Sequence, residues 1–290
     1  MDVIHTVADL RVRLKGEPSI ALVPTMGNLH AGHIALMEIA RPRARCVVAS
    51  IFVNRLQFEP GGDFDRYPRT LERDCAMLEA AGCDVVFAPD ERGMYPEPQE
   101  IVVAPPKAAE QLCGDFRPGH FSGVTTVVAK LFNIVRPDVA VFGKKDYQQL
   151  HVIRRLNEQL NFGIAIVGAD IVREDDGLAI SSRNGYLSAA ERAQAARLCR
   201  NLRRVADEIA RGSPDFVRPL DTAAADLRSH GWKVDYIALR NRATLTPPQL
   251  GDRELVVLGA AWLGKTRLID NIEVTATVAA LPPSSNREDP

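Results

Sequence analysis

The chain has 290 residues, 46% of them hydrophobic and 25% charged, with a formal net charge of −1. That is enough chain for a large core or two domains, and the charge balance argues against an extended nucleic-acid surface. The five cysteines are scattered with no Cys-x-x-Cys pair, which excludes a disulfide framework or zinc site and points to reduced thiols in the cytoplasm.

Met1-Asp2-Val3-Ile4-His5 carries an acid and lacks an apolar h-region, so no signal peptide is expected. The apolar run 255–263 is too short to span a bilayer, and no membrane association is expected. Strand-like runs fall at 20–24, 46–53, 84–88, 139–143 and 164–167. Helical periods fall between them at 32–40, 71–81, 123–135 and 147–160. This alternation predicts an α/β fold, a Rossmann-like doubly wound parallel sheet over residues 1–172, with ligands at the carboxyl ends of its strands. Beyond the polar turn 174–177 the texture changes. Helical stretches at 189–211 and 219–230 precede short strands at 233–239, 254–260 and 267–273. This predicts a second, smaller α+β domain over 173–281, followed by a disordered tail at 282–290.

The first strand runs into Pro24-Thr25-Met26-Gly27-Asn28-Leu29-His30-Ala31-Gly32-His33. A helix beginning here places His30 and His33 one turn apart on one face. A helix N-terminus favours phosphate, and imidazoles beside it can donate hydrogen bonds to phosphoryl oxygens as charge develops. Gly32 leaves the backbone open to close approach by a ligand. A capped helix with two surface histidines is the alternative.

Three further segments follow strand ends or the domain junction. Asn54 and Gln57 read either as turn residues or as hydrogen-bonding groups for a small polar substrate. In Phe142-Gly143-Lys144-Lys145-Asp146-Tyr147-Gln148-Gln149 a lysine stands where a mobile point charge can follow a phosphoryl group. Asp146 there reads as a helix cap, a ribose ligand or a magnesium ligand. Ile180-Ser181-Ser182-Arg183-Asn184 reads as a phosphate lid or an ordinary loop. His120, in the turn 117–124, reads as a substrate contact or a cap. The absence of Gly-x-Gly-x-x-Gly and of a Walker sequence disfavours a dinucleotide site or a P-loop.

Together, the His-x-Gly-His turn, Lys145 and the distal Ser-Ser-Arg resemble the HIGH-motif nucleotidyltransferase superfamily. Within it, residues 24–33, 51–58, 67–70, 143–149 and 181–184 resemble the pantoate–β-alanine ligase family, in the right order from about residue 1 to 280. The resemblance implies ATP-dependent condensation of (R)-pantoate with β-alanine through pantoyl adenylate, releasing pyrophosphate and AMP. It implies that His30, His33, Lys145, Ser181, Ser182 and Arg183 are catalytic. ATP is implied to lie against these and against Met26, Gly143, Asp146, Val172 and Ile180. Met26, Gln57 and Gln149 are implied for pantoate and β-alanine. Magnesium travels with ATP, with Asp74 as the candidate metal ligand, and a cytoplasmic homodimer binding only small molecules is expected.

The chain departs from the family at Arg55, which stands for a usual proline, and at Lys144, often acidic. Arg73 stands where some members have an acid near the metal, and Ile180 replaces a commoner methionine. Arg55 is therefore expected to be a spectator. Two other readings stay open at this level: a nucleotidyl transfer to a phosphate acceptor, and a non-catalytic nucleotide-binding scaffold.

Overall fold

The computed structural model describes residues 1–59, 64–213 and 215–277; the expected tail at 282–290 lies outside the described residues. Two compact units emerge, one of residues Met1–Val172 with Ile180–Ser182, the other of Arg173–Ala179 with the chain from Arg183 onward.

The first unit runs β1 (Asp2–Ile4), α1 (Val7–Leu14), β2 (Ile20–Thr25), α2 (Ala31–Ala40), β3 (Cys46–Ile51), α3 (Leu71–Ala80) and β4 (Val85–Phe87). It continues through α4 (Glu91–Met94), α5 (Cys113–Phe116), α6 (His120–Val135), β5 (Val139–Gly143), α7 (Tyr147–Gln159) and β6 (Ala165–Ala169). Its strands form one parallel sheet in the order β1-β4-β3-β2-β5-β6. β2 is buried on both faces, which is why it reads as a continuous apolar run. Ile20 and Leu22 pack with α6 and α7 on one face. Ala21 and Val23 pack with α2 and α3 on the other. From β2 the chain steps outward to β3 and β4, then returns to lay β5 on the opposite side of β2. The β2/β5 boundary is therefore the topological switch point, where open α/β sheets bind ligands.

β1 and α1 have no counterpart among the expected elements. β1 is three residues long with no apolar run, and it joins the sheet through pairing with β4.

The second unit carries α8 (Ala189–Gln194), α9 (Arg197–Ala210), α10 (Val217–Ser229) and an antiparallel sheet of β7 (Lys233–Asn241), β8 (Glu254–Leu263) and β9 (Thr266–Thr275). The helix expected at 189–211 breaks in two. The corner, Ala195 and Ala196, is almost wholly buried, so two small side chains let the bend tuck into the core. Pro219 falls in the first turn of α10, where its missing N–H has no intrahelical partner to lose. Leu198 and Leu202 of α9 press against Gly259 of β8, where a Cβ would lie only 3.0 Å from each. Among the described residues, no helix is long and apolar enough to cross a membrane.

Candidate active site

The turn leaving β2 is built from its own side chains and from α3. The Thr25 hydroxyl donates to the Ser50 carbonyl (2.7 Å) and accepts from the Gly27 N–H (3.2 Å). Gly27 has φ +79°, and a Cβ there would lie 3.0 Å from Asp74 Oδ2. Asn28 follows with φ +52°, a conformation asparagine tolerates better than most residues. The Asn28 and Leu29 N–H groups donate to the Asp74 carboxylate at 2.8 and 2.9 Å.

α2 starts at Ala31, so His30 is its extended N-cap and not a residue on its face. The His30 and His33 rings nevertheless meet, with centroids 4.1 Å apart. The His30 N–H donates to His33 Nδ1 at 3.3 Å, which leaves Nε2 to carry the proton of the neutral ring. Gly32 serves the rings themselves, because a Cβ there would stand 3.0 Å from His30 Cε1. His30 Nδ1 is buried without a hydrogen-bond partner among the described residues.

Burial, and then the Lys145 charge, push the His30 imidazolium down to about 4, with Asp146 opposing and Arg73 adding to the fall. Burial pushes His33 down to about 3, helped by His30 and Lys145. At neutral pH both rings are therefore uncharged hydrogen-bonding groups, and the positive charge felt here comes from Lys145 and, more weakly, from Arg73. Lys145 follows β5 across the switch point, with its Nζ 3.5 Å from the half-exposed Asp146 carboxylate. Lys144 turns to Asp170 instead, at 2.8 Å.

A second group surrounds Gln57. Its Nε2 lies 3.1 Å from Met26 Sδ, and its Oε1 accepts from Asn54 Nδ2 at 3.1 Å. Asn54 is only 1% exposed. It also donates to the Gly123 carbonyl and accepts from the Tyr95 hydroxyl, so its polar atoms are taken up in holding Gln57. His120 is buried as well. It accepts from Arg117 at Nε2, and its Nδ1 lies 2.9 Å from the Gln57 carbonyl. Gly123 allows this crowding, since a Cβ would fall 2.2 Å from the Leu56 carbonyl oxygen. Tyr95 was invisible as a member of this group, being 41 residues from Asn54.

The other expected residues distribute as follows. Gly143 ends β5, and Gln149 lies half-buried in the first turn of α7. Its neighbour Gln148 is buried on the carbonyls of Ala108 and Gln111. The Ile180 N–H donates to the Val172 carbonyl at 3.0 Å, which returns Ser181 and Ser182 to the first unit. The Ser182 hydroxyl donates to the Asn28 carbonyl at 3.3 Å. Arg183 belongs to the second unit. Asp74, expected as the metal ligand, is fully buried, and its oxygens hold two backbone N–H groups and the Thr70 hydroxyl. Among the described residues no group of three or more His, Cys, Asp or Glu is arranged to hold a metal.

The model of the family described as pantoate–β-alanine ligase matches residues 2–273. A pantothenate synthetase of Nitrosospira multiformis is 57% identical over 95% of this chain and 99% of its own length. One from Neisseria meningitidis serogroup C is 58% identical over 94% and 99%. The crystal structure of pantothenate synthetase from Thermus thermophilus superposes with a TM-score of 0.88 at 45% identity, covering 95% of this chain and all of the other. That of the Francisella tularensis ligase, complexed with β,γ-ATP and β-alanine, gives 0.80 at 32% identity over 94% and 97%. The site at the β2/β5 switch point is thus carried by a chain that belongs to the pantoate–β-alanine ligase family.

Proposed function

We propose that the family's reaction, the ATP-dependent joining of pantoate to β-alanine, runs in this chain at the carboxyl ends of β2 and β5. The pantoate carboxylate attacks the α-phosphorus, forming the acyl–phosphate bond of pantoyl adenylate and expelling pyrophosphate. The β-alanine amine then attacks the acyl carbon, loses a proton and releases AMP. Neither step needs a protein nucleophile; both need alignment and compensation of charge.

The observation that carries this reading is the close, tilted and uncharged His30–His33 pair beside Lys145 at the switch point. The rings donate hydrogen bonds to phosphate oxygens, and Lys145 opposes the charge that grows on them. We assign Ser181, Ser182 and Arg183 to phosphate oxygens, and Gly143, Asp146, Val172 and Ile180 to the nucleotide. Gln57, held with its Nε2 beside Met26, and Gln149 are assigned to pantoate and β-alanine. The second unit, which carries Arg183, is assigned the role of lid. Magnesium is assigned to the triphosphate it neutralises, because Asp74 does not fit a metal. The five free cysteines suit a reducing cytoplasm. A homodimer is the expected assembly, checked by light scattering.

Pyrophosphate exchange tests the chemistry. With ATP and pantoate but no β-alanine, labelled pyrophosphate returns to ATP and pantoyl adenylate is found by mass spectrometry. Exchange without pantoate, or a strict need for β-alanine, overturns this reading.

A further inference from the structure

Arg73 and Asp74 stand side by side at the start of α3, and the proposed chemistry uses neither. Asp74 Oδ2 and Oδ1 accept from the Asn28 and Leu29 N–H groups at 2.8 and 2.9 Å. Arg73 reaches the other end of the same residue, donating from a terminal guanidinium nitrogen to the Leu29 carbonyl at 2.9 Å. That carbonyl and the His30 N–H belong to one planar peptide unit. The His30 N–H in turn donates to His33 Nδ1 at 3.3 Å. Guanidinium, peptide and imidazole therefore form a single chain of hydrogen bonds.

We propose that Arg73 and Asp74 are positioning residues that clamp Leu29 from its two ends and, through the Leu29–His30 peptide that Arg73 holds, keep His33 in the tautomer protonated at Nε2. A carbonyl that accepts a charged donor makes the N–H of its own peptide a better donor. A ring nitrogen that accepts cannot carry the proton, so the proton stays on the opposite nitrogen. Burial keeps the His33 ring neutral, so the choice between tautomers is what decides whether it can donate to a phosphate. Asp74 makes the clamp rigid: it is sealed from solvent, and its two backbone bonds fix a turn that includes two positive φ values. Arg73 is exposed, yet its charge is felt at the His30 ring, whose protonated form it disfavours.

The inference rests on the assignment of His33 to phosphate, but its first readout does not. In the ligand-free protein with ¹⁵N-labelled histidine, NMR should show His33 as the Nε2-protonated form. Arg73→Ala should give a mixture of tautomers at an unchanged melting temperature. In single turnover, Arg73→Ala should slow pantoyl adenylate formation roughly three- to tenfold, the worth of one hydrogen bond. Arg73→Lys, which keeps a charged donor, should recover most of the rate and the single tautomer. An unchanged tautomer in Arg73→Ala, or equal losses in the Ala and Lys variants, overturns the proposal. Absence of pantoyl adenylate in the wild type would instead overturn the functional reading and leave the tautomer result standing.

Discussion

Asp74 in the first unit and Asp270 in the second are both nearly sealed from solvent, yet they are satisfied in opposite ways. Asp74 is neutralised by uncharged donors, two backbone N–H groups and the Thr70 hydroxyl, at the N-terminal end of α3 where the helix dipole favours an anion. Asp270 is paired with a guanidinium, Arg173 meeting its two oxygens at 2.8 and 2.9 Å, and also accepts from the Asn271 N–H at 2.7 Å. Arg173 also donates to the Gly177 and Asn271 carbonyls. It thereby fastens the bridge between Arg173 and Ala179 to β9. The first arrangement shapes a backbone turn. The second ties together stretches 97 residues apart. Losing a partner therefore leaves ordinary amides in one unit and a stranded buried charge in the other.

Arg173→Ala should show the largest stability effect. Breaking a buried pair by removing one partner costs about 3–5 kcal/mol, whereas a lost hydrogen bond at Asp74→Asn costs about 1–3 kcal/mol. Denaturant unfolding of both variants measures the difference. The pair Arg173→Met with Asp270→Leu should recover much of the loss, because neither charge is then stranded. Equal costs at the two sites would break the comparison.

Lys145→Ala sharpens it from the other side, since this charge serves chemistry. Single-turnover adenylate formation should fall on the order of 10²–10³-fold, with stability within about 0.5 kcal/mol of wild type. The double variant with His33→Ala should lose less than the sum, as both groups serve one transition state. Formation of the adenylate at near wild-type rate in Lys145→Ala would show the site to be misplaced.

The division between legible and hidden features follows sequence distance. The parallel sheet could be read because β2, β3 and β5 are local apolar runs, buried on both faces. The turn at residues 26–33 and Lys145 could be read because strand ends announce them. Asp74 could not, because its work is done on amides 45 and 46 residues away. Asn54 reads equally well as a substrate ligand or a turn residue. Only its burial and its bonds to Gln57, Gly123 and Tyr95 separate the two. The break at Ala195 and Ala196 was hidden for a different reason, since alanine continues a helix as readily as it lines a buried corner.

The histidine pair should leave a mark on acid stability. His30 and His33 have pKa values near 4 and 3 in the folded chain, against 6.5 as the ordinary value. Between those limits the unfolded chain binds more protons, so their contribution is fully present above pH 6.5 and is lost as pH falls toward 4 and then 3. Each proton taken up on unfolding steepens the loss by at most about 1.4 kcal/mol per pH unit. His33→Gln removes one such group, so its unfolding free energy should fall less between pH 7 and 5 than that of wild type. Identical slopes would show that His33 is protonated in the fold.

Arg55 gives the smallest expected effect and tests whether exposed charge follows the rule of the buried pair. It is not bare: its Nε donates to Glu91 at 2.9 Å and its guanidinium lies 4.0 Å over the Phe64 ring. Both ionic side chains are about half exposed, so screening leaves the pair weak. The backbone is suited to proline. Arg55 opens a 3₁₀ turn, and the preceding Asn54 has φ −87° and ψ 108°, extended backbone at the edge of the region that a following proline favours. Arg55→Pro should thus trade weak surface contacts for a less flexible unfolded chain. Its melting temperature and its rate of pantothenate formation should both stay near wild type. A clear drop in the melting temperature would mean that the Glu91 and Phe64 contacts hold the turn that carries Gln57. A selective rise in KM for pantoate would mean that they set the angle of its side chain.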